Sequence, residues 1–347
     1  MLARRSLVGM GAALAWLACV LGGFRSLATA ADGDAPKRPN IVFAIADDWG
    51  WPHASIYGDP VVQTPTFDRL AKNGVLFEHA FVSSPSCTPS RGAIITGQQF
   101  WRLDAGANLW CVWPEDRFAD YPALLEKAGY HVGKYRKTWG PGVGNPGGKA
   151  YPNVAAFFKA RPKDTPFCFW FGASDPHRPY KAGTGRQSGM DLSKIELFPH
   201  FPDVETVRSD VADYYFEVQR FDRELGELVE ALEKSGELEN TLIAVTGDHN
   251  MPFPRCKGNL YDCGARVPLV IYWGAKIPGG RTLTDFVSLT DLAPTFLEAA
   301  GIEPPKEMTG RSLLPALEGK QAGRVDAARD HVLLGRERHV AAQEAPQ

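Results

Sequence analysis

The residues best suited to chemistry are Cys87-Thr88-Pro89-Ser90-Arg91, a thiol shortly followed by a proline and a guanidinium. Gly92-Ala93-Ile94-Ile95-Thr96-Gly97 comes next and reads as a helix entry closed by a glycine. Helix N-termini stabilise anions and lower the pKa of a nearby thiol, so Cys87 is a candidate nucleophile and Arg91 a candidate anion fork. A second set is acidic. Asp47-Asp48 and Asp248-His249 each directly follow an apolar run. Three carboxylates gathered at one place repel each other unless a cation sits between them, and hard oxygen ligands suit Ca²⁺ or Mg²⁺. A single strand-end aspartate more often caps the next turn; two such pairs far apart in sequence point to a shared site.

The elements that must position these groups follow from apolar patterning. Residues 40–46 form a continuous apolar run rather than an alternating one, which suits a strand buried on both faces of a parallel sheet. Similar runs recur at 166–171, 241–246 and 268–273. Helical spacing appears at 66–73, stopped by Gly74, and at 122–128, stopped by Gly129. The longest helix is expected over 204–235, with Val211, Tyr215, Val218, Phe221, Leu225, Leu228 and Leu232 on one stripe and Gly236 closing it. Strands alternating with helices predict an α/β fold, a largely parallel sheet flanked by helices on both faces. In such sheets ligands bind at the carboxyl ends of the strands, where the acids lie. Segments 140–148 and 178–190 are polar or Gly/Pro-rich and read as long loops near a site.

Bulk properties narrow the partners. The 347 residues suffice for one large domain or two modest ones, and a net charge of -2 without a Lys/Arg stripe excludes a nucleic-acid footprint. Arg4 and Arg5 precede an apolar run over 7–24, and Ala28-Thr29-Ala30 offers a small-residue cleavage site. This reads as a secretory signal peptide over 1–30, cleaved near Ala30, followed by a linker over 31–38. The expected product is exported, periplasmic or extracellular, with no membrane span. Of six cysteines, Cys19 leaves with the signal; Cys111, Cys168, Cys256 and Cys263 allow three pairings, with Cys168 reading as a buried free thiol.

The pentapeptide resembles the C-x-P-S-R signature of type I sulfatases, and residues 39–48, Pro-Asn-Ile-Val through Asp47-Asp48, resemble that family's opening strand. The resemblance implies that Cys87 is oxidised to formylglycine by a formylglycine-generating or anaerobic sulfatase-maturing enzyme. It also implies one divalent cation, usually calcium, held by Asp47, Asp48, the modified Cys87, Asp248 and His249. Arg91 would orient the nucleophile. In Gly133-Lys134-Tyr135-Arg136-Lys137-Thr138-Trp139-Gly140, Lys137 matches the sulfate-binding lysine, with Lys134 as the alternative. Trp139 stands where the family has a histidine, which leaves the base for sulfate release to come from elsewhere; His53 is a candidate. His177, in Asp175-Pro176-His177, matches the histidine that protonates the leaving group. Lys257 matches a late sulfate-binding lysine, with Arg255 as competitor.

Asp248-His249 and the segment 251–261 are most similar to the sulfamidase (heparan N-sulfatase) branch, and 291–301 and 309–315 also fit sulfatases. The resemblance covers about 39–318 and implies an alkaline phosphatase-like core. It leaves 319–347 as a stub of the usual small antiparallel C-terminal domain. The expected activity is hydrolysis of a sulfate ester or sulfamate on a sulfated sugar or polysaccharide. Alternatives are a phosphomonoester or phosphonate hydrolase of the same superfamily, and a non-catalytic remnant that binds sulfated glycans.

Overall fold

The apolar runs become the centre of one eight-stranded sheet. A computed structural model describes residues 37–114, 117–144, 146–337 and His339. The expected signal peptide (1–30), most of the linker, and the end of the 319–347 segment lie outside the described residues. The strands are β1 (Asn40–Ala46), β2 (Val75–Phe81), β3 (His131–Tyr135), β4 (Lys149–Tyr151), β5 (Phe167–Gly172), β6 (Thr241–Gly247), β7 (Arg266–Tyr272) and β8 (Arg281–Ser288). Their order is β4-β3-β5-β1-β6-β7-β2-β8. All neighbours pair parallel except β7, which runs antiparallel to both β6 and β2.

Helices cover both faces, as the patterning predicts: α1 (Pro65–Asn73), α2 (Cys87–Thr96), α3 (Tyr121–Lys127), α4 (Val154–Ala160), α5 (Thr184–Gln187), α6 (Glu205–Lys234), α7 (Asp262–Ala265), α8 (Leu292–Ala299) and α9 (Leu314–Glu318). β1 explains why its sequence does not alternate. Ile41, Phe43 and Ile45 pack into one core with Phe296 and Tyr121, while Val42 and Ala44 pack into the other with Phe221 and Leu225 of α6. The stripe expected on α6 is buried along its length, from Val211 to Leu232. Among the described residues no helix is long and apolar enough to cross a membrane.

Two details of the fold set the site. β3, β5, β1 and β6 are adjacent and parallel, so the segments leaving their carboxyl ends emerge side by side. These carry Lys137, His177, Asp47-Asp48 and Asp248-His249 respectively. α2 starts at Cys87 after an extended Ser86 and stops at Gly97, whose φ of 62° is the left-handed cap expected of a glycine.

Candidate active site

Cys87 opens α2 and is 3% exposed, its Sγ 3.3 Å from His249 Nε2 and 3.8 Å from Asp47 Oδ1. Ser90 and Arg91, one turn on, face the same way. The Ser90 hydroxyl donates to the Asp248 carbonyl (2.6 Å), and wholly buried Arg91 donates from Nε to Asp248 Oδ2 (2.8 Å) and from Nη1 to the Lys137 carbonyl (2.8 Å). Its Nη2 lies 3.5 Å from Asp47 Oδ1. One guanidinium therefore ties the α2 turn to the ends of β1, β6 and β3.

The acids are held by backbone as well as by side chains. The Asp47 N–H donates to the Asp175 carbonyl (2.9 Å), hooking the end of β1 to the turn that carries His177. Asp48 adopts φ of 74°, a left-handed conformation unusual for a residue with a Cβ, and its N–H donates to Asp248 Oδ1 (2.9 Å). The Lys137 loop is pressed into place by two glycines. A Cβ at Gly172 would lie 1.7 Å from the Lys137 carbonyl oxygen, and one at Gly140 would lie 1.8 Å from Thr88 Oγ1. Neither position tolerates a side chain.

Three cations answer three carboxylates. Lys137 Nζ bridges the Asp47 oxygens (2.7 and 2.6 Å), and Lys257 Nζ bridges those of Asp48 (2.8 and 2.8 Å). Burial would lower both lysines, yet Cys87 and Asp47 for Lys137, and Asp48 for Lys257, push them up instead, so both stay charged. Burial raises Asp248, but His249, Arg91 and Lys137 hold it well below the usual carboxylate range. Asp47 moves the other way, raised by burial and then by Asp248. His249 donates from Nδ1 to the Asn250 carbonyl (3.0 Å), which aims Nε2 at Cys87 and at Asp48 Oδ1, 3.2 Å away. Burial lowers its pKa, but Asp248 and Asp48 outweigh this and lift it to about 9.

The donor set suits a divalent cation. Asp47, Asp48, Cys87 and His249 are all buried and offer ligand atoms that lie within 4.8 Å of one another. Crowded buried carboxylates that must recruit two lysines are the arrangement a cation would relieve, and the imidazole is already oriented by a carbonyl behind it. Asp248 is brought into the cluster, yet its carboxylate is engaged by Arg91 and the Asp48 N–H.

The remaining expected residues divide clearly. His177 lies at the rim with its side chain 40% exposed, Nδ1 donating to the Arg178 carbonyl (2.5 Å) and Nε2 4.0 Å from Asp48 Oδ2. Lys134, the alternative to Lys137, is buried on β3 and donates to the Pro146 carbonyl (2.6 Å). Burial lowers its pKa to about 8. His53 is buried with Tyr215 (3.0 Å) and Asp59 (3.4 Å), in contact with none of the cluster. Trp139 packs edge-on against Trp113, ring centroids 4.5 Å apart, and is 7% exposed. All five described cysteines are free thiols, Cys168 buried as expected. Two groups escaped the sequence reading. Ser90 was in view inside the pentapeptide without a role; His339 had no local signal at all, since only the path of the chain brings it beside Ser86.

A family model described as Sulfatase matches residues 39–146 and 148–302. The chain is 31% identical over 340 residues to human N-sulphoglucosamine sulphohydrolase, covering 82% of this chain and 67% of that one. It is 27% identical over 343 residues to an ulvan-active sulfatase of Formosa agariphila, covering 85% of this chain and 57% of that one. It thus spans little more than half the length of the ulvan-active relatives it matches. In fold it is similar to the phosphonate monoester hydrolase of Agrobacterium radiobacter, with a TM-score of 0.69 at 20% identity over 82% of this chain and 78% of that one. The family match runs through the paired acids, the Cys87 pentapeptide and the late Asp248–His249 pair, and with it this chain belongs to the sulfatase family.

Proposed function

We propose that this chain hydrolyses sulfate esters or sulfamates on sugars, with Cys87 matured to formylglycine and a divalent cation at Asp47, Asp48, His249 and residue 87. The observation that carries the reading is the buried convergence of Cys87, His249 and two acids at the start of α2, with Arg91, Lys137 and Lys257 around it. When present, the two groups supply an aldehyde-hydrate nucleophile and a fixed double positive charge beside it.

The protein's own residues do the rest. Lys137 and Lys257 are the cations with open faces, 21% and 15% exposed against 3% and 0% for Asp47 and Asp48, so an incoming sulfate meets ammonium groups first. Each neutralises charge that builds on the non-bridging sulfate oxygens in the transition state. Arg91, fixed by Asp248 and the Lys137 carbonyl, holds the nucleophile's turn rigid rather than reaching into solvent. His177, at the exposed rim, delivers a proton from Nε2 to the departing oxygen or nitrogen. Gly140, packed on Thr88, and the Trp113–Trp139 pair close the far side of α2 against water.

A sulfated sugar as substrate is supported by relatives, one named for N-sulphoglucosamine and two for ulvan. Calcium fits the two hard carboxylates, and the imidazole broadens the choice to softer divalent ions. The N-terminal pattern supports export.

The test is a paired one. The tryptic peptide carrying Cys87, from chain co-expressed with a formylglycine-generating enzyme, is expected to show the mass of the aldehyde. The same preparation is expected to hydrolyse 4-nitrophenyl sulfate faster than a phenyl phosphonate ester, and Cys87→Ala to abolish both. Matured protein that prefers the phosphonate would replace the reading with phosphonate hydrolysis. Matured protein inert to both, and to glucosamine N-sulfate and ulvan oligosaccharides, would leave the glycan-binding alternative.

A further inference from the structure

With an indole at position 139, the site's imidazoles within the matched segments are His177 and His249. A third arrives from the far end of the chain. Beyond α9 the backbone returns along the last strand: the Thr284 N–H donates to Gly323 (3.0 Å), the Val325 and Asp326 N–H groups donate to Asp285, and the Phe286 N–H donates to Arg329 (3.0 Å). It then crosses toward α2, where the Gly335 N–H donates to the Ser83 carbonyl (3.0 Å) and the Arg336 guanidinium donates to the Gly258 carbonyl. His339 follows, its Nδ1 2.8 Å from Ser86 Oγ.

Both anchors of this ring belong to the site. Ser86 is the residue before Cys87, and Gly258 directly follows Lys257. Gly258 has φ of 75°, and a Cβ there would come within 2.9 Å of His339 Cδ2, so the loop makes room for the imidazole. His249, Lys257 and Asp48 are among its charged neighbours. One ring nitrogen is committed to the Ser86 hydroxyl. The other, Nε2, has no hydrogen-bond partner among the described residues, and the ring is only half-buried.

We infer that His339 contacts the substrate: with Nδ1 fixed by Ser86, Nε2 hydrogen-bonds a hydroxyl or N–H of the sugar flanking the sulfate, beside the Lys257 ammonium. The inference rests on the sulfatase reading and adds a specificity residue to it. A sugar offers groups that both donate and accept, which an oriented imidazole can meet with either polarity. A small aryl sulfate carries no sugar hydroxyl or N–H for the ring to meet. His339 therefore discriminates between substrates that carry the same sulfate.

The experiment compares full-length matured wild type, His339→Ala and His339→Gln on 4-nitrophenyl sulfate, glucosamine N-sulfate and ulvan oligosaccharides. Melting temperatures are followed alongside. For the sugar sulfate that the wild type hydrolyses, His339→Ala is expected to lower kcat/KM at least about tenfold more than for the aryl sulfate, mostly through KM. His339→Gln, which keeps a polar nitrogen near the position of Nε2, is expected to recover part of that loss. Equal losses on both substrates would mean that His339 acts only by bracing Ser86 at the start of α2, and would overturn the inference. So would no loss on either, or a wild type that hydrolyses the aryl sulfate and none of the sugars. Failure of the sulfatase reading looks different: wild type with a verified aldehyde at position 87 would hydrolyse no sulfate ester and no sulfamate, and the inference would fall with it.

Discussion

Asp291 and Arg329 form one buried charge cluster; Asp47, Asp48 and Asp248 with Arg91, Lys137 and Lys257 form another, and they resolve the same electrostatic problem in opposite ways. At Asp291 one carboxylate meets one guanidinium. Its Oδ1 accepts the Arg311 N–H (2.8 Å), and its Oδ2 accepts Arg329 Nη1 (2.7 Å) and the Ser288 N–H (3.3 Å). Arg329 Nη2 donates to the carbonyls of Arg311 and Ser312 (2.8 and 2.9 Å), and its Nε lies 3.4 Å from Asp326 Oδ2. The group is closed: Arg329 is shared between buried Asp291 and the more exposed Asp326, and backbone supplies the remaining partners. In the strand-end cluster the carboxylates face one another, the lysines lean in from a partly exposed rim, and four ligand atoms converge on a common point. Complementary closure serves stability; convergence of like charges is an arrangement that stability alone would not favour. Both draw on family-like motifs, since Asp291 and the Arg311–Ser312 backbone lie in 291–301 and 309–315, and Arg91 lies in 87–91. Motif recognition alone could not separate a structural set from a chemical one.

The sharpest way to break this contrast is Arg329→Met, which strands the Asp291 carboxylate without its cation. It is expected to lower unfolding free energy by about 3–5 kcal/mol in urea titrations while turnover per folded molecule survives. A loss below about 1 kcal/mol would mean that the closed cluster is not a stability element. Lys257→Ala should behave inversely. Activity on an aryl sulfate is expected to fall roughly 100-fold, about 2.7 kcal/mol of transition-state stabilisation, with a smaller effect on the urea midpoint than Arg329→Met.

Calcium sharpens the comparison from the other side. At 100 times its dissociation constant the ion is expected to raise unfolding free energy by about 2.7 kcal/mol, an increment that chelation reverses. Asp48→Ala should remove that increment and Arg329→Met should leave it intact; a calcium response surviving in Asp48→Ala would move the ion elsewhere.

The smallest effect concerns Lys134, the lysine that sequence offered as a rival to Lys137. Burial lowers its folded pKa to about 8, against about 10.4 for an unfolded lysine. Between those values the unfolded chain binds more protons, so stability gains a rising component as pH climbs from 8 toward 10.4, and below 8 the lysine carries its full cost. Lys134→Met is expected to flatten that rise in melting curves taken across the interval. An unchanged slope would mean that this ammonium is not desolvated as its position on β3 implies.

Much of the fold was legible because burial on both faces leaves a mark in sequence. β1 and β6 read as unbroken apolar runs, and α6 as a stripe of period near 3.6. Four strands left weaker marks. β3 is five residues with Gly133 and Lys134 at its middle, and only pairing with β5 and β4 makes it a strand. β4 is three residues, while β8, at the sheet edge, alternates buried with half-buried positions and carries polar Arg281 and Asp285 among the buried ones. β2 is interrupted by Glu78 and His79, where its register with both neighbours shifts. Within the site, Lys137 over Lys134 is a question of which way a strand end turns. His53 illustrates the converse, since closeness in sequence to Asp47-Asp48 did not bring its ring to them; packing under α6 beside Tyr214 and Tyr215 did the placing.

By itself the sequence determined the chemical vocabulary of this protein: a thiol at a helix start, acids at strand ends, a helix with one apolar face, and the order in which they come. These are local properties, set by residue type, spacing and the periodicity of burial. Only the tertiary structure decided which of them meet. Four parallel strands placed side by side bring Lys137, His177, Asp47-Asp48 and Asp248-His249 together at their carboxyl ends, and the return of the chain after α9 lays His339 against Ser86. The reason is physical. A hydrogen bond or ion pair between residues 90 to 250 positions apart leaves no trace in the spacing of either partner, because its geometry belongs to the packed core between them.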